Sequence, residues 1–363
     1  MDGSRGDWVP PVQGDASPDR IDGDWWLTRE IARPAPLLGE AICSTTRMLL
    51  GGPTGAGKTH LALAIAGAIA TTASCFLHWT VPADARSILY IDGEMARDLI
   101  QDRMRDLHRR LDRTTLANFH MLCREDFPTM EGLNTPAGQE FVKAKIEQTN
   151  PALVVLDNRM CLLLGDMKDE VPWTDTMPLV REITRTGRAQ LWLDHTGHNV
   201  EHIYGSKTKE WQMDAVGILE EQTLKGADIN VRLKFTKARR RRPETRADFA
   251  PVIITLREDQ WTAVPDEDCG KTAAKVSPSR QPFYDALVGA IGKSECGPGR
   301  TTIGTWQLEC IRRGLIEKPG DRENYRQRDA RHRMWRVAKG ELIAAKWIAV
   351  DGDFVTDLKN RWG

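Results

Sequence analysis

The sequence predicts an α/β fold with a mostly parallel central sheet, followed by a small separate C-terminal domain. Three observations carry that prediction. Short, nearly all-apolar runs recur at 47–51, 87–92, 152–157, 189–194, 215–220, 229–236 and 252–256, and helical stretches at 58–71, 95–111, 136–149 and 175–187 lie between the first of them. The stretch Gly52-Pro53-Thr54-Gly55-Ala56-Gly57-Lys58-Thr59 matches G-x-x-x-x-G-K-[ST] without a mismatch. Beyond residue 280, three helical stretches end in two short β-runs around an Asp-Gly turn.

Taken in order, residues 1–24 are rich in Asp, Gly, Pro and Arg, and 1–34 reads as a flexible N-terminal arm. Trp25 and Trp26 within it offer large apolar surface, expected to pack on the core or on a neighbouring subunit. Residues 35–264 form the core. Strands that are apolar on both faces and separated by helices imply a parallel sheet covered on both sides. The last strands follow one another without helices, so that edge is expected to be antiparallel or mixed. Residues 265–280, rich in Pro, Asp, Lys and Ser, read as a linker. Residues 281–363 form the last domain, with helices at about 281–292, 301–313 and 326–345 and a hairpin over 347–355. Three helices and a hairpin outline a winged helix. Thr301 or Thr302 caps the second helix, and Trp306, Cys310 and Ile311 share one of its faces.

The charges balance, 51 basic against 51 acidic. Their distribution is uneven: residues 1–231 carry a net −9 and residues 271–363 a net +7. A basic rear module suggests an anionic partner. Seven scattered cysteines with no C-x-x-C pair argue against a disulfide framework or a zinc site, and for a reducing cytosol. No apolar span of roughly 18 residues and no signal peptide is visible, so a cytoplasmic protein without a membrane partner is expected.

The glycine-rich stretch follows the apolar run Met48-Leu49-Leu50 and precedes a helical pattern from Leu61 to Ala70. That context makes it a phosphate-binding loop. Its glycines let backbone N–H groups turn around phosphates, and the helix N-terminus adds a favourable dipole. Gly52 through His60 are therefore the expected nucleotide contacts. Lys58 would reach the β- and γ-phosphates, and the Thr59 hydroxyl would ligate Mg²⁺. The run Ala152-Leu153-Val154-Val155-Leu156-Asp157 supplies a carboxylate at a buried strand end, about a hundred residues downstream. Asp157 is the second expected group on the Mg²⁺ side. A water-orienting carboxylate follows the strand Ile88-Leu89-Tyr90-Ile91-Asp92, with Glu94 first and Asp92 the competing candidate. A strand ending at Asp194-His195-Thr196 offers His195, and second Thr196, as a contact that reports the γ-phosphate. ATP and Mg²⁺ are the expected cofactors.

In order and spacing, the phosphate loop, Glu94, Asp157, His195 and Gly205-Ser206-Lys207 resemble the RecA-type P-loop NTPase core of the RepA and DnaB hexameric helicases, RepA being the nearer likeness. The resemblance covers about residues 35–257. It implies that Glu94 is the catalytic base and His195 the γ-phosphate sensor. It also implies a Lys-x-Arg pair that enters the neighbouring subunit's site, which falls on Lys237-Ala238-Arg239. Arg240, Arg241 and Arg242 prolong that run, which leaves open which arginine is the finger. The basic run also reads as a solvated hairpin tip or a DNA contact. The resemblance places the loops at about 160–173 and 196–208 along a central channel. The first holds Lys168 and Trp173 among acidic residues, and the second holds His198, Asn199, His202, Lys207 and Lys209. Cations and a stacking aromatic there would suit single-stranded DNA. The C-terminal domain, with Arg326, Arg328, Arg331, Arg333, Arg336 and Lys339 on one helix, resembles the winged-helix tails of phage and plasmid ATPases with such cores. It would bind duplex DNA, dock a replication protein, or help hold a ring together.

The expected protein is an ATP-dependent homo-oligomer, a hexameric ring acting on single-stranded DNA as a replicative helicase of a plasmid, phage or other mobile element. Two alternatives stand beside it: a recombination mediator or annealing ATPase with the same core, and an ATP-switched DNA-binding regulator.

Overall fold

The structure, a computed structural model, describes residues 22–71, 73, 75–111, 115–197, 203–205, 208–266, 277–317, 325–345 and 347–359, with backbone alone at 325–332 and 344. Most of the expected arm and linker, the loop residues His198, Asn199, His202, Ser206 and Lys207, and the side chains of Arg326, Arg328 and Arg331 lie outside that description. The chain divides into two compact units, Met1–Asp266 and Glu267–Gly363.

The first unit is built on a nine-stranded sheet. Its strands are β1 (Arg47–Gly52), β2 (Ile88–Asp92), β3 (Phe119–Cys123), β4 (Leu153–Asp157), β5 (Ala189–His195), β6 (Ala215–Glu221), β7 (Ile229–Ala238), β8 (Val252–Arg257) and β9 (Gln260–Pro265), in the spatial order β9-β8-β7-β6-β1-β5-β4-β2-β3. From β6 to β3 all neighbours are parallel, and β6 to β9 form an antiparallel meander. The sequence did not announce β3 or β9. Strand β3 is a short edge strand with His120 and Met121 only partly buried, so it lacks a continuous apolar run. Strand β9 follows a two-residue turn in which Glu258 and Asp259 take left-handed φ of 50° and 63°. Such turns are usually marked by Asn-Gly or Asp-Gly, and here neither is present.

Strands buried on both faces feed two layers. Met48 and Leu50 point into one core cluster, with helix α1 (Lys58–Ala70) and Leu107 of helix α2 (Arg97–Leu111). Leu49 points the other way, into a second cluster with helix α3 (Pro136–Thr149) and helix α4 (Val171–Arg185). Helix α4 starts earlier than the expected residue 175. Pro172 lies in its first turn, where a missing N–H costs nothing, and Pro178 lies inside it. Trp173 is thereby drawn from the expected loop into the helix.

The short helix Gly23–Thr28 has no buried residue. Trp25 and Trp26 pack edge-on against each other at 5.2 Å, and the Arg29 guanidinium lies 4.4 Å over Trp25. Trp26 is 56% exposed, so the expected packing on the core is not made. Among the described residues no helix is long and apolar enough to cross a membrane, and the described cysteines are free.

The second unit contains helix α5 (Gln281–Ile291), strand β10 (Arg300–Thr302), helix α6 (Ile303–Arg312), helix α7 (Tyr325–Ala344) and strands β11 (Ile348–Asp351) and β12 (Phe354–Asp357), with sheet order β10-β12-β11. The Thr302 side chain caps α6 by accepting from Thr305 N at 3.1 Å. Its core joins Phe283, Leu287, Trp306, Cys310, Trp335 and Val355. Trp306 Nε1 donates to the Phe283 carbonyl at 2.8 Å, so its one polar atom is satisfied inside.

Candidate functional site

Parallel strands bring their carboxyl ends to one edge, and register decides which residues meet there. Gly52 pairs with His195 across β1 and β5, and Asp92 pairs with Asp157 across β2 and β4. The chain leaves β1 for a strand three places away, past β5 and β4, so the crevice opens at these ends, where ligands bind in such sheets.

The loop after β1 turns through Gly55 and Gly57, at φ 86° and 83°. A Cβ on Gly57 would come within 2.7 Å of Ile229 Cδ1, so both conformation and space call for glycine. Helix α1 then begins at Lys58 with no side-chain cap, leaving first-turn N–H groups for an anion. Lys58 is 6% exposed, and its Nζ donates to the carbonyls of Gly52 (2.9 Å) and Pro53 (2.8 Å). Burial pulls its pKa below the usual lysine range, against the opposing field of Asp157 and Glu94. The Thr59 hydroxyl lies near enough to the Asp157 carboxylate to favour its charged form, so the two expected Mg²⁺ ligands sit together. Asp157 is 2% exposed and also accepts from Tyr90 Oη at 2.7 Å. Its pKa is raised, burial being the largest cause. His60 faces elsewhere: its Nε2 is engaged by Arg103 of α2, and burial with that cation lowers its pKa to about 4. The structure does not bring its ring to the phosphate loop.

The two acids beyond β2 differ in setting. Asp92 is buried, and its Oδ1 accepts from the N–H groups of Glu94 (3.0 Å) and Met95 (2.7 Å), so it shapes the turn. Burial raises its pKa to about 7. Glu94 is exposed at the crevice and accepts from Asn158 Nδ2. The same amide group lies 3.2 Å from His195 Nε2, and His195 Nδ1 lies 3.2 Å from Thr54 Oγ1 and 3.3 Å from Lys58 Nζ. Burial, then the nearby Lys58, lowers the pKa of His195, which favours the neutral ring. Nε2 faces the Asn158 amide, and Nδ1 faces both the Thr54 hydroxyl and the Lys58 ammonium, which only donates. Asn158 and Tyr90 were not singled out in the sequence. The available signal for Asn158 was its place directly after the strand-end acid, capping the helix Arg159–Leu162.

Below His195 lies an ionic knot. Asp194 is fully buried, with Oδ2 2.6 Å from Arg159 Nε and 3.3 Å from Lys209 Nζ, and Oδ1 accepting from His195 N at 2.8 Å. Lys209 is 2% exposed, which removes it from the expected channel contacts. Trp173 is also 2% exposed, packs edge-on against Trp192 at 5.3 Å, and donates from Nε1 to Gln212 at 2.7 Å. It cannot stack on a base in this arrangement. Trp211, shortly after the second expected loop in the chain, is 67% exposed, and Lys168 is exposed. At the base of the second loop, Thr196 bridges to Ile203.

Lys237 and Arg239 are not brought to this edge. Lys237 pairs with Val216, whose neighbour Ala215 pairs with Met48 near the start of β1. The phosphate loop leaves the other end of that strand, four residues and about 13 Å away. Lys237 Nζ donates to the carbonyls of Glu210 (2.8 Å) and Trp211 (2.7 Å). Arg239 binds Asp214 at 3.0 Å and the Trp211 carbonyl at 3.2 Å. Arg33, Arg47, Arg239, Arg240 and Arg242 line a cavity of about 870 Å³ there.

A glycine-shaped loop, an open helix N-terminus, a lysine and a hydroxyl–carboxylate pair fit a nucleoside triphosphate with its divalent cation. A family model described as an AAA domain matches residues 17–201, just over half of the chain. The chain belongs to the AAA domain family. The matched part of this AAA domain holds the phosphate loop, Glu94, Asp157, Asn158 and His195, and ends before Lys237 and Arg239. Membership in this family of P-loop ATPases supports nucleotide binding, usually with Mg²⁺, and an ATP-driven activity. No curated protein matches the chain.

Proposed function

We propose that this AAA domain protein is a ring-forming ATP-driven motor on single-stranded DNA, a RepA-like replicative helicase with a RecA-like core (35–264) and a winged-helix domain (281–363). The observation that carries the reading is the split of the charged groups between the two edges of one sheet. Lys58, Thr59, Glu94, Asp157 and His195 gather at one edge. Lys237, Arg239 and four further arginines that line the cavity beside it occupy the other, out of reach of their own phosphate loop. A second copy set edge to edge would supply the missing cations to the γ-phosphate.

Within one site, the Glu94 carboxylate accepts a proton from the attacking water. Lys58 and the first-turn N–H groups hold the phosphates, and Thr59 with Asp157 would hold Mg²⁺, which would neutralise phosphate charge. His195, beside Thr54 and Lys58 at the loop, contacts the γ-phosphate. Asp92 serves the turn and not the base role, since Oδ1 takes two backbone N–H groups and Oδ2 is buried. The basic C-terminal unit would meet duplex DNA or a replication protein.

The ATP-switched regulator remains the second reading, favoured by the burial of Trp173 and Lys209, two of the expected DNA contacts. The deciding experiment is a forked-DNA unwinding assay with ATP beside mass measurement of the assembly. A hexamer that unwinds supports the motor. A monomer whose hydrolysis ignores DNA overturns it and leaves the switch.

A further inference from the structure

We propose that Asn158 is a positioning residue that holds the Glu94 carboxylate in place and ties it, through His195, to the tip of the phosphate loop. The inference rests on the reading of Glu94 as the water-activating group. The amide of Asn158 is 1% exposed, and its orientation is set by its oxygen. Oδ1 accepts from Cys161 N at 3.1 Å, as the cap of the helix Arg159–Leu162. Nδ2 therefore faces the crevice, where it donates to Glu94 Oε2 and lies 3.2 Å from His195 Nε2. His195 in turn meets Thr54 Oγ1 at 3.2 Å. The result is one chain of side chains, Thr54–His195–Asn158–Glu94, running from the loop after β1 across the ends of β5 and β4 to the residue beyond β2.

Glu94 needs such a support. It is exposed, on a turn whose own contacts are to its backbone N–H and not its side chain. A free carboxylate there would sample many rotamers, and each misplacement of a reacting group lowers the rate steeply. A buried amide fixed by its own cap and donating to that carboxylate restricts it to one place. Because the same amide faces His195, a phosphate that displaces the Thr54–His195 contact is felt at Glu94 without a further element moving.

The test uses the full chain, ATP and Mg²⁺, with turnover, binding of a fluorescent ATP analogue and melting measured together. Asn158→Asp keeps an acceptor for the Cys161 cap and the size of the side chain, but replaces the donor by an oxygen. Asn158→Ala removes both. Both variants are expected to lower kcat at least tenfold, the usual weight of a hydrogen bond to a charged group, with analogue binding within about threefold of wild type. In a Glu94→Gln background neither should lower the residual rate further, because the effect passes through Glu94. If Asn158→Asp turns over normally while Asn158→Ala does not, the residue is only a helix cap and the proposal fails. It also fails if the loss multiplies with that of Glu94→Gln. Normal turnover by Glu94→Gln itself would instead sink the base assignment, a separate outcome.

Discussion

Asp194→Asn isolates the ionic knot beneath the site. The carboxylate is fully buried and balances two buried cations, Arg159 at 2.6 Å and Lys209 at 3.3 Å. The amide keeps the shape and can still accept from His195 N, but it removes the only charge that compensates those cations within the knot. Breaking a buried pair in this way costs about 3–5 kcal/mol. That is a large share of the roughly 5–15 kcal/mol that holds a domain folded. For a unit of this size it corresponds to a melting shift of about 10 °C. The pH dependence sharpens the test. Burial already lowers the pKa of Lys209 from 10.5 to about 8, and the field of Asp194 is the first force opposing that shift. Between the folded and unfolded values the unfolded chain binds the extra proton, so stability rises with pH across that window, from about 8 to 10.5 in the wild type. Without Asp194 the folded value falls further, Lys209 sheds its proton nearer neutrality, and the window widens downward. The deficit of Asp194→Asn should therefore be greatest near pH 6 and narrow by pH 9. Lys209→Met in the same background should recover part of it. Urea denaturation of the full chain at both pH values, followed by tryptophan fluorescence, measures this. A deficit below about 1 kcal/mol at pH 6, or one that does not narrow, refutes the reasoning.

Other substitutions probe the rest of the site. Gly57→Ala forces a side chain into φ 83° and against Ile229, so it should cost about 1–2 kcal/mol and abolish binding of a labelled ATP analogue, checked by fluorescence titration. Trp173→Ala should lower stability by about 3–5 kcal/mol, because the ring is core. Trp211→Ala should leave the melting temperature within a degree or so and weaken single-stranded DNA binding, read by anisotropy. Unchanged DNA affinity would remove Trp211 from the interface. Glu94→Gln should keep ATP binding and lose turnover by about a hundredfold or more. Arg239→Ala should be inactive alone, yet recover some hydrolysis when mixed with Glu94→Gln subunits. A mixture that stays inactive argues against a finger acting in trans.

Legibility followed how local each signal was. The phosphate loop was readable because eight consecutive residues must satisfy one backbone shape, and Gly55 and Gly57 do take the left-handed turns that shape needs. Strands β1, β2, β4 and β5 were readable because burial on both faces leaves runs that are mostly apolar. Strand β3 escaped because an edge strand tolerates His120. Trp173 and Lys209 looked like loop residues suited to DNA because composition alone cannot tell an aromatic or a cation in solvent from one in the core. Helix α4 starts early enough to bury the first, and Asp194 draws in the second. Asn158 carried no motif, since an Asn after a strand-end acid is an ordinary helix cap until its other atom is seen to face Glu94 and His195.

The sequence by itself determined an α/β P-loop ATPase, the loop that holds the phosphates, and the strand-end acids and histidine, because those depend on short-range pattern and burial. Only the tertiary structure decided which of these groups touch. Register between strands far apart in the chain set Gly52 beside His195 and Asp92 beside Asp157. The turn of the chain into an antiparallel meander carried Lys237 and Arg239 to the opposite edge of the same sheet. Contacts of that kind arise from how elements pair in space, and no local run of residues encodes them.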